Sequence, residues 1–234
     1  MNKYNHIPLS QDFDNWWYFG RKKILEFILN SRKYSEKIKI LEVGPGVGIN
    51  IDILQKYGDV DILDIDEYFI NLIKDNKRLD VKNIYQDFSE IKKKYDIVLF
   101  LDVLEHIEEY ETFLLDIKNV LEKDGIAILS VPAYQFMFSK HDRNLHHFRR
   151  YNWKLIRDQV GKEFHIIERY GYNYLLFPIR FLQIKILKST ISDTTVNKLA
   201  NEILKVVIEL EIFLLKINLN IKAGLSLFTV IKSK

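Results

Sequence analysis

Gly44, Gly46 and Gly48 follow the apolar run Ile40-Leu-Glu-Val43, whose single carboxylate is Glu42. Lacking Cβ atoms, glycines let the backbone take φ > 0 and approach a ligand closely, and such a turn at the end of a buried strand is where open α/β folds bind ligands. A phosphate-gripping P-loop needs Gly-Lys-Ser/Thr at the end of the turn, but Gly48 is followed by Ile49 and Asn50. The dinucleotide fingerprint places its third glycine three residues after the second, whereas Gly46 and Gly48 are two apart. The turn therefore points to an adenosine-type cofactor without a pyrophosphate.

Two further acids belong to the same ligand. Asp64, 22 residues after Glu42, closes the next apolar run Val60–Ile65, where a carboxylate can accept two hydrogen bonds from a ribose diol. Ile65 stands beside it, and Asp66 competes for the role. Asp87 in Ile84-Tyr-Gln-Asp-Phe88 can accept from an exocyclic amine, with Phe88 offering an apolar face to a base.

A second functional cluster is Ser139-Lys-His-Asp-Arg-Asn-Leu-His-His-Phe-Arg-Arg-Tyr151. A neutral imidazole can take a proton from a hydroxyl while a carboxylate stabilises the imidazolium, so His141 with Asp142 is the first choice of base, ahead of His106 and His146. A metal site from His141, Asp142, His146 and His147 has suitable ligand types, but the spacing matches no helix-borne zinc motif, and no metal is expected. Arg149 and Arg150 suit a phosphate or carboxylate on a substrate, or a bracing role at a helix N-capped by Asn152. Tyr134, Tyr151 and Trp17 complete the substrate-binding candidates.

These residues need a scaffold. Strand-like runs at Ile38–Val43, Val60–Ile65, Val81–Tyr85, Tyr95–Leu101 and Ile126–Val131 alternate with helical spacing at Ile49–Tyr57, at Phe69, Leu72 and Ile73, and at Phe113, Leu114, Ile117 and Leu121, the last helix closed by Gly125. Such βαβα alternation demands a parallel sheet covered by helices on both faces, a Rossmann-like α/β fold.

Glu42-x-Gly44-x-Gly46-x-Gly48, Asp64, Asp87, Tyr95-Asp-Ile-Val-Leu-Phe-Leu-Asp-Val-Leu-Glu-His-Ile107 and Leu121–Pro132 together resemble the class I S-adenosylmethionine-dependent methyltransferases, over roughly residues 37 to 173. The Leu104-Glu105-His106 element resembles the small-molecule branch that includes quinone-type O-methyltransferases. The resemblance implies S-adenosyl-L-methionine as cofactor. Gly44 and its neighbours would hold the methionine part, Glu42 its ammonium, Asp64 the ribose, and Asp87 with Phe88 the adenine. Leu101 would offer its carbonyl to the ammonium, with Asp102 beside it. It also implies seven strands with the last antiparallel, the sixth at Phe164–Tyr172 and the seventh at Leu225–Ile231, and acceptor chemistry after strands four and five.

On that basis the chain divides into an aromatic and helical arm (1–36), the cofactor-binding core (37–173), an apolar helical insertion (174–222) and the final strand (223–234). In the arm, Trp16-Trp-Tyr-Phe-Gly-Arg21 precedes a helix over Lys22–Leu29, and Arg21 can pair with a carboxylate or phosphate. The insertion is too broken by Arg180, Lys185 and Lys188 to cross a bilayer. Its second segment, Val196–Leu219, sets Leu199, Ile203, Val206, Val207, Leu210, Leu214 and Ile217 at helical spacing. That face is expected to pack on the sheet or on a second subunit, in preference to a membrane surface.

The 234 residues, 47% hydrophobic, support one sizeable core. The absence of cysteine removes disulfides and thiolate chemistry, and the polar start Met1–His6 lacks a signal peptide's apolar run. A cytoplasmic protein is expected, with peripheral contact at the inner membrane face as a variant. A net charge of +3 is no nucleic-acid footprint. The expected reaction is methyl transfer to an O or N atom of a small-molecule, lipid-linked or cell-surface-precursor acceptor. The alternatives are aminopropyl transfer, a cofactor-binding regulatory subunit and, third, a dehydrogenase.

Overall fold

Central strands buried on both faces organise the molecule, seen in a computed structural model that describes residues 14–32, 34, 37–185 and 196–234. Strands β1 (Ile38–Val43), β2 (Gly58–Leu63), β3 (Val81–Tyr85), β4 (Tyr95–Leu101), β5 (Leu121–Pro132), β6 (Phe164–Tyr172) and β7 (Ser226–Ser233) form one sheet in the order β3-β2-β1-β4-β5-β7-β6. β7 runs antiparallel to both its neighbours, and the other pairs are parallel. β1 and β4 reverse the direction of strand succession, and at such a switch the connections diverge to opposite faces and leave a crevice.

Successive residues of each strand face opposite layers. Ile40, Ile97 and Ile128 pack with Ile24, Leu25 and Ile28 of α1 (Trp16–Asn30). Leu41, Val98 and Leu129 pack with the opposite layer. Short α2 (Ile51–Leu54) and α3 (Glu67–Asp75) follow β1 and β2, and α4 (Tyr110–Val120) follows β4. After β5 come α5 (Lys140–Asn144) and α6 (Trp153–Val160), then α7 (Phe177–Lys185) and α8 (Lys198–Lys216) between β6 and β7. Asn152 caps α6 by accepting from Leu155 N at 2.8 Å.

Four boundaries differ from the sequence reading. The aromatic arm is itself the first turn of α1, because Asn15 caps it through Trp17 N at 2.9 Å. Gly125 closes no helix: β5 begins at Leu121 and carries Gly125 inside it, where a Cβ would sit 2.9 Å from the Tyr95 carbonyl oxygen. The helix expected over Ile49–Tyr57 is only Ile51–Leu54, and β2 ends at Leu63, so Asp64 and Ile65 lie just beyond the strand.

Of the two partners expected for the apolar face of α8, the sheet or a second subunit, the sheet does not cover it. Ile208, Ile212 and Leu215 are buried, together with Asn201 and Glu211, against α1, whereas Leu199, Ile203, Val206, Leu210 and Ile217 are exposed. Glu211 explains part of this choice: its carboxylate accepts from Asn173 N and Leu175 N, both at 2.8 Å, pinning α8 to the end of β6. No described helix is long and apolar enough to cross a membrane. Met1–His6 and Lys188 lie outside the described residues.

Candidate active site

The three glycines adopt φ of 66°, 55° and 75°. A Cβ on Gly44 would meet Val103 at 2.7 Å and one on Gly48 would meet Ile73 at 2.9 Å, so packing demands glycine at both. At Gly46 a Cβ would meet nothing within 4 Å, and this glycine borders open space.

Glu42 lies at the end of β1, 1% exposed. Its Oε1 accepts from Asn50 Nδ2 at 2.7 Å, while Oε2 has no partner among the described residues. Burial pushes its carboxyl up to about 7, against the opposing pull of the Asn50 bond and the Arg21 charge. A buried, half-satisfied carboxylate beside a ligand space suits a cationic group.

Asp64 sits one strand over, largely buried, and accepts from Asp66 N at 2.9 Å; burial raises its pKa. The competing Asp66 is committed elsewhere, as the N-cap of α3 through Tyr68 N at 2.9 Å. Ile65 is 84% exposed beside Asp64. Asp87 caps the 3₁₀ turn Phe88–Glu90, and its bonds with Ser89 hold its pKa low. Phe88 is held edge-on against Phe113, ring centroids 6.0 Å apart. The glycine turn, Asp64 and Asp87 thus occupy the ends of three adjacent strands, β1, β2 and β3.

Leu101 ends β4, and Asp102 takes a left-handed φ of 54°. That turn lets Asp102 N donate to Ser130 O at 2.9 Å while Ser130 Oγ donates to Asp102 Oδ1 at 2.8 Å. The other oxygen, Oδ2, pairs with Arg21 of α1, whose guanidinium lies 6.0 Å from the Trp17 ring.

Beyond Asp102 opens a cleft of about 240 Å³, lined by Trp17, Asp102, Glu105, His106, His141, His147 and Arg150, with Arg180 and Ile184 of α7 closing one side. Asp142 is held by residues other than the one the sequence paired it with. Its buried carboxylate lies 3.0 Å from His147 Nδ1 and accepts from Arg150 Nε at 2.7 Å and from Ser139 N and Oγ at 2.8 and 3.0 Å. Burial alone would raise its pKa, but the bonds from His147 and Arg150 outweigh it and the net shift is downward. An ionised Asp142 accepts only, so Nδ1 of His147 carries a proton, and in the neutral ring Nε2 is the unprotonated nitrogen.

His106 stands edge-on to His147, centroids 4.6 Å apart, with its surface exposed; partial desolvation and the neighbouring imidazole lower its pKa. Glu105 is 1% exposed, its Oε2 unpartnered among the described residues; burial and the Asp102 charge raise its pKa well above the usual carboxylate value. One donor atom from each of Glu105, His106 and His147 falls within 4.8 Å of the others, a metal-ligand set different from the one weighed in the sequence.

Several sequence candidates stay outside the cleft. Tyr151 is fully buried and donates its hydroxyl to Leu104 O at 3.1 Å, so it does not reach a substrate. Arg149 donates to Glu108 O at 3.2 Å and lies over Tyr110, and exposed His146 serves as a left-handed turn residue with φ 58°. Tyr134 stacks on Phe136 with centroids 5.3 Å apart and meets Phe177 of α7 edge-on at 5.4 Å. Arg150 lines the cleft but is spent on Asp142 and on Ala133 O, at 3.3 Å. The sequence reading missed His147 as the partner of Asp142. α5 ends at Asn144 and the chain reverses through His146, bringing His147 N within 3.0 Å of Asp142 O, a turn that no residue type announced.

A sheet ordered 3-2-1-4-5-7-6 with β7 antiparallel, a glycine turn after β1 and acids after β2 and β3 defines a class I S-adenosylmethionine-dependent methyltransferase. The chain belongs to the methyltransferase-domain family, whose profile matches residues 13–173. It is 27% identical over 156 residues to a ubiquinone biosynthesis O-methyltransferase of Pelagibacter ubique (strain HTCC1062), a match covering 56% of this chain and 65% of that protein. The chain thus spans just under two thirds of that relative's length. In fold it is similar to the PH0226 protein of Pyrococcus horikoshii OT3, with a TM-score of 0.63, 16% identity and coverage of 99% and 98% of the two chains. It is also similar to the N-methyltransferase NodS of Bradyrhizobium japonicum WM9, solved with S-adenosyl-L-homocysteine, with a TM-score of 0.56, 16% identity and coverage of 73% and 86%. S-adenosyl-L-methionine is the cofactor of this class, and the unpartnered Glu42 Oε2 and the open space at Gly46 fit it.

Proposed function

We propose that this protein methylates a hydroxyl oxygen of a small acceptor carrying an apolar portion, with His147 as general base. The observation that carries this reading is the Asp142–His147 pair, which leaves a basic nitrogen in the cleft beside the proposed cofactor seat. When bound, the cofactor supplies an electrophilic sulfonium methyl group. Glu42 holds its ammonium, Asp64 its ribose hydroxyls, and Asp87 with Phe88 and Ile65 its adenine. Leu101 offers its carbonyl to the ammonium, and Arg21, anchored by Asp102, faces the methionine carboxylate. His147 Nε2 takes the hydroxyl proton as the new bond forms, and Asp142 stabilises the imidazolium. His141, on the cleft rim, orients the acceptor.

The apolar portion is inferred from the ring ladder Tyr134, Phe136, Phe177 and Phe181 along α7, the last pair 6.4 Å apart between centroids, with Phe136 half exposed. The Pelagibacter relative's name gives the same direction, an O-methylated quinone precursor.

A second reading is supported by the unpartnered Glu105 carboxylate oxygen: Glu105, His106 and His147 hold a divalent cation that polarises the acceptor hydroxyl. Two imidazoles and one carboxylate suit zinc, manganese, iron or cobalt better than magnesium. Asp142 on the far nitrogen of His147 would then orient a ligand.

The test is methyl transfer from radiolabelled cofactor to a catechol bearing a short isoprenoid tail, with S-adenosylhomocysteine measured as co-product. Methylthioadenosine instead would signal aminopropyl transfer, and no turnover across catechols and phenols would sink the acceptor assignment. Activity surviving exhaustive chelation favours the base; activity lost to chelation and restored by manganese or zinc favours the cation.

A further inference from the structure

Helix α8 carries a second apolar face that no described residue covers. Leu199, Ile203, Val206, Leu210, Phe213 and Ile217 follow one another at alternating intervals of four and three, and each is 48% to 72% exposed. The opposite face is already occupied: Ile208, Ile212 and Leu215 pack on α1, and Glu211 is pinned to the end of β6. A stripe that repeats every 3.5 residues and is one knob wide is the seam of a helix pair.

The geometry points to a second copy of this chain docking along α8, antiparallel, through that seam. Antiparallel alignment sets Leu199 opposite the partner's Ile217, Ile203 opposite the partner's Phe213 and Val206 opposite the partner's Leu210, so every layer is apolar. One flank carries Glu202, Glu209 and Lys216. The same alignment brings Glu202, which pairs with Lys205 of its own chain at 3.0 Å, beside the partner's Lys216 twice, once at each end; these two opposite-charge pairs outnumber the single like-charge meeting of Glu209 with its own copy at the dyad. In the parallel arrangement those three charges face Val207 and Leu214 and gain no partner. The other flank is Ala200, Val207 and Leu214, all half-buried, which widens the seam. A 420 Å³ groove between α1 and α8, edged by Phe27, Glu209, Phe213 and Lys216, adjoins the stripe and receives the partner's side chains. The 19-residue helix is about 28 Å long. With the groove it offers a face on the scale of the roughly 800 Å² per partner of standard interfaces.

A membrane surface is the poorer occupant. Helices lying on anionic lipid carry lysine or arginine beside the apolar face, whereas the charged flank here is led by Glu202 and Glu209. The pairing is independent of the reaction assigned to the cleft.

Light scattering on the full chain at tens of micromolar is expected to give twice the 28.0 kDa of one chain. Val206→Glu combined with Leu210→Glu should return it to one chain, with a circular-dichroism spectrum matching the parent showing that the fold survives. Lys216→Glu should weaken association at least tenfold, and adding Glu202→Lys should restore it. The chain has no cysteine, so Leu199→Cys and Ile217→Cys proteins can be mixed and oxidised without background. The mixed disulfide should dominate. A single-chain mass for the parent at every concentration, or disulfides only between identical variants, would overturn the proposal. So would association with phosphatidylglycerol vesicles that the Val206→Glu, Leu210→Glu variant loses while the parent stays one chain in solution.

Discussion

The carboxylate of Asp142, which the sequence reading paired with His141, lies 3.0 Å from Nδ1 of His147. Ser139 and Arg150 fix that carboxylate from the other side, and the imidazole it orients lines the cleft beside Asp102. The consequences separate the two histidines.

His147→Ala should lower kcat by about 10²- to 10⁴-fold, the usual worth of a positioned base, while leaving cofactor affinity unchanged. His141→Ala should act mainly on KM for the acceptor. Steady-state kinetics on both variants checks this; equal kcat for His147→Ala and the parent removes His147 from the chemistry.

Gly46→Ala distinguishes ligand space from packing. With φ of 55° the substitution strains the backbone by about 1–2 kcal/mol, yet its methyl group meets no protein atom within 4 Å. The variant should fold, melt a few degrees lower and lose cofactor binding. Gly44→Ala, which also collides with Val103, should be markedly less stable. Thermal melts and calorimetry on the pair decide, and undiminished cofactor affinity in Gly46→Ala would show that no ligand approaches there.

The proposed role of Glu42 makes cofactor affinity depend on pH. Its carboxyl, pushed up to about 7 by burial, must ionise to receive an ammonium group, so binding expels a proton below that pH. Affinity should weaken as pH falls below about 7, approaching tenfold per unit, and Glu42→Gln should bind weakly with a flattened dependence. Calorimetric titrations between pH 5.5 and 8 are the measurement, and a parent affinity constant across that range would contradict the role.

Stability should show the complementary trend in the unliganded protein. Glu42 and Glu211 both have carboxyls raised to about 7 in the folded state, by burial. Raised acids stabilise fully below the unfolded value, about 4.3, and that contribution is lost as pH rises through 7. Asp142, shifted down, works oppositely and loses its contribution only as pH falls below the ordinary aspartate value. The melting temperature should therefore peak near pH 4 and decline toward pH 7, and Glu211→Gln should reduce the decline. A melting temperature that rises over that interval would refute the burial argument.

The fold was legible wherever one local signal sufficed. β1, β3 and β4 stand where apolar runs placed them and β6 where the resemblance placed it, and the positive φ of the three glycines is what their side-chain-free backbone permits. The cofactor candidates also collect at adjacent strand ends, because topology brings together whatever ends a parallel strand. Legibility failed where partners are distant in sequence. Which stripe of α8 meets the sheet side was not legible because Glu211 is held by backbone donors 36 and 38 residues away, leaving two apolar stripes of which periodicity sees only the stronger. Asp142 was assigned to His141 because the reversal at His146 uses a non-glycine in the left-handed region. Tyr151 read as a substrate contact because the Leu104 carbonyl that takes its hydroxyl lies 47 residues upstream.

The central claim, a cofactor seat at the ends of β1, β2, β3 and β4, is tested most directly by isothermal titration of the purified chain with S-adenosylhomocysteine. One molecule should bind per chain, with binding abolished in Asp64→Ala and in Gly46→Ala proteins that still fold. Absence of binding heat at millimolar ligand, or full affinity in both variants, would contradict it.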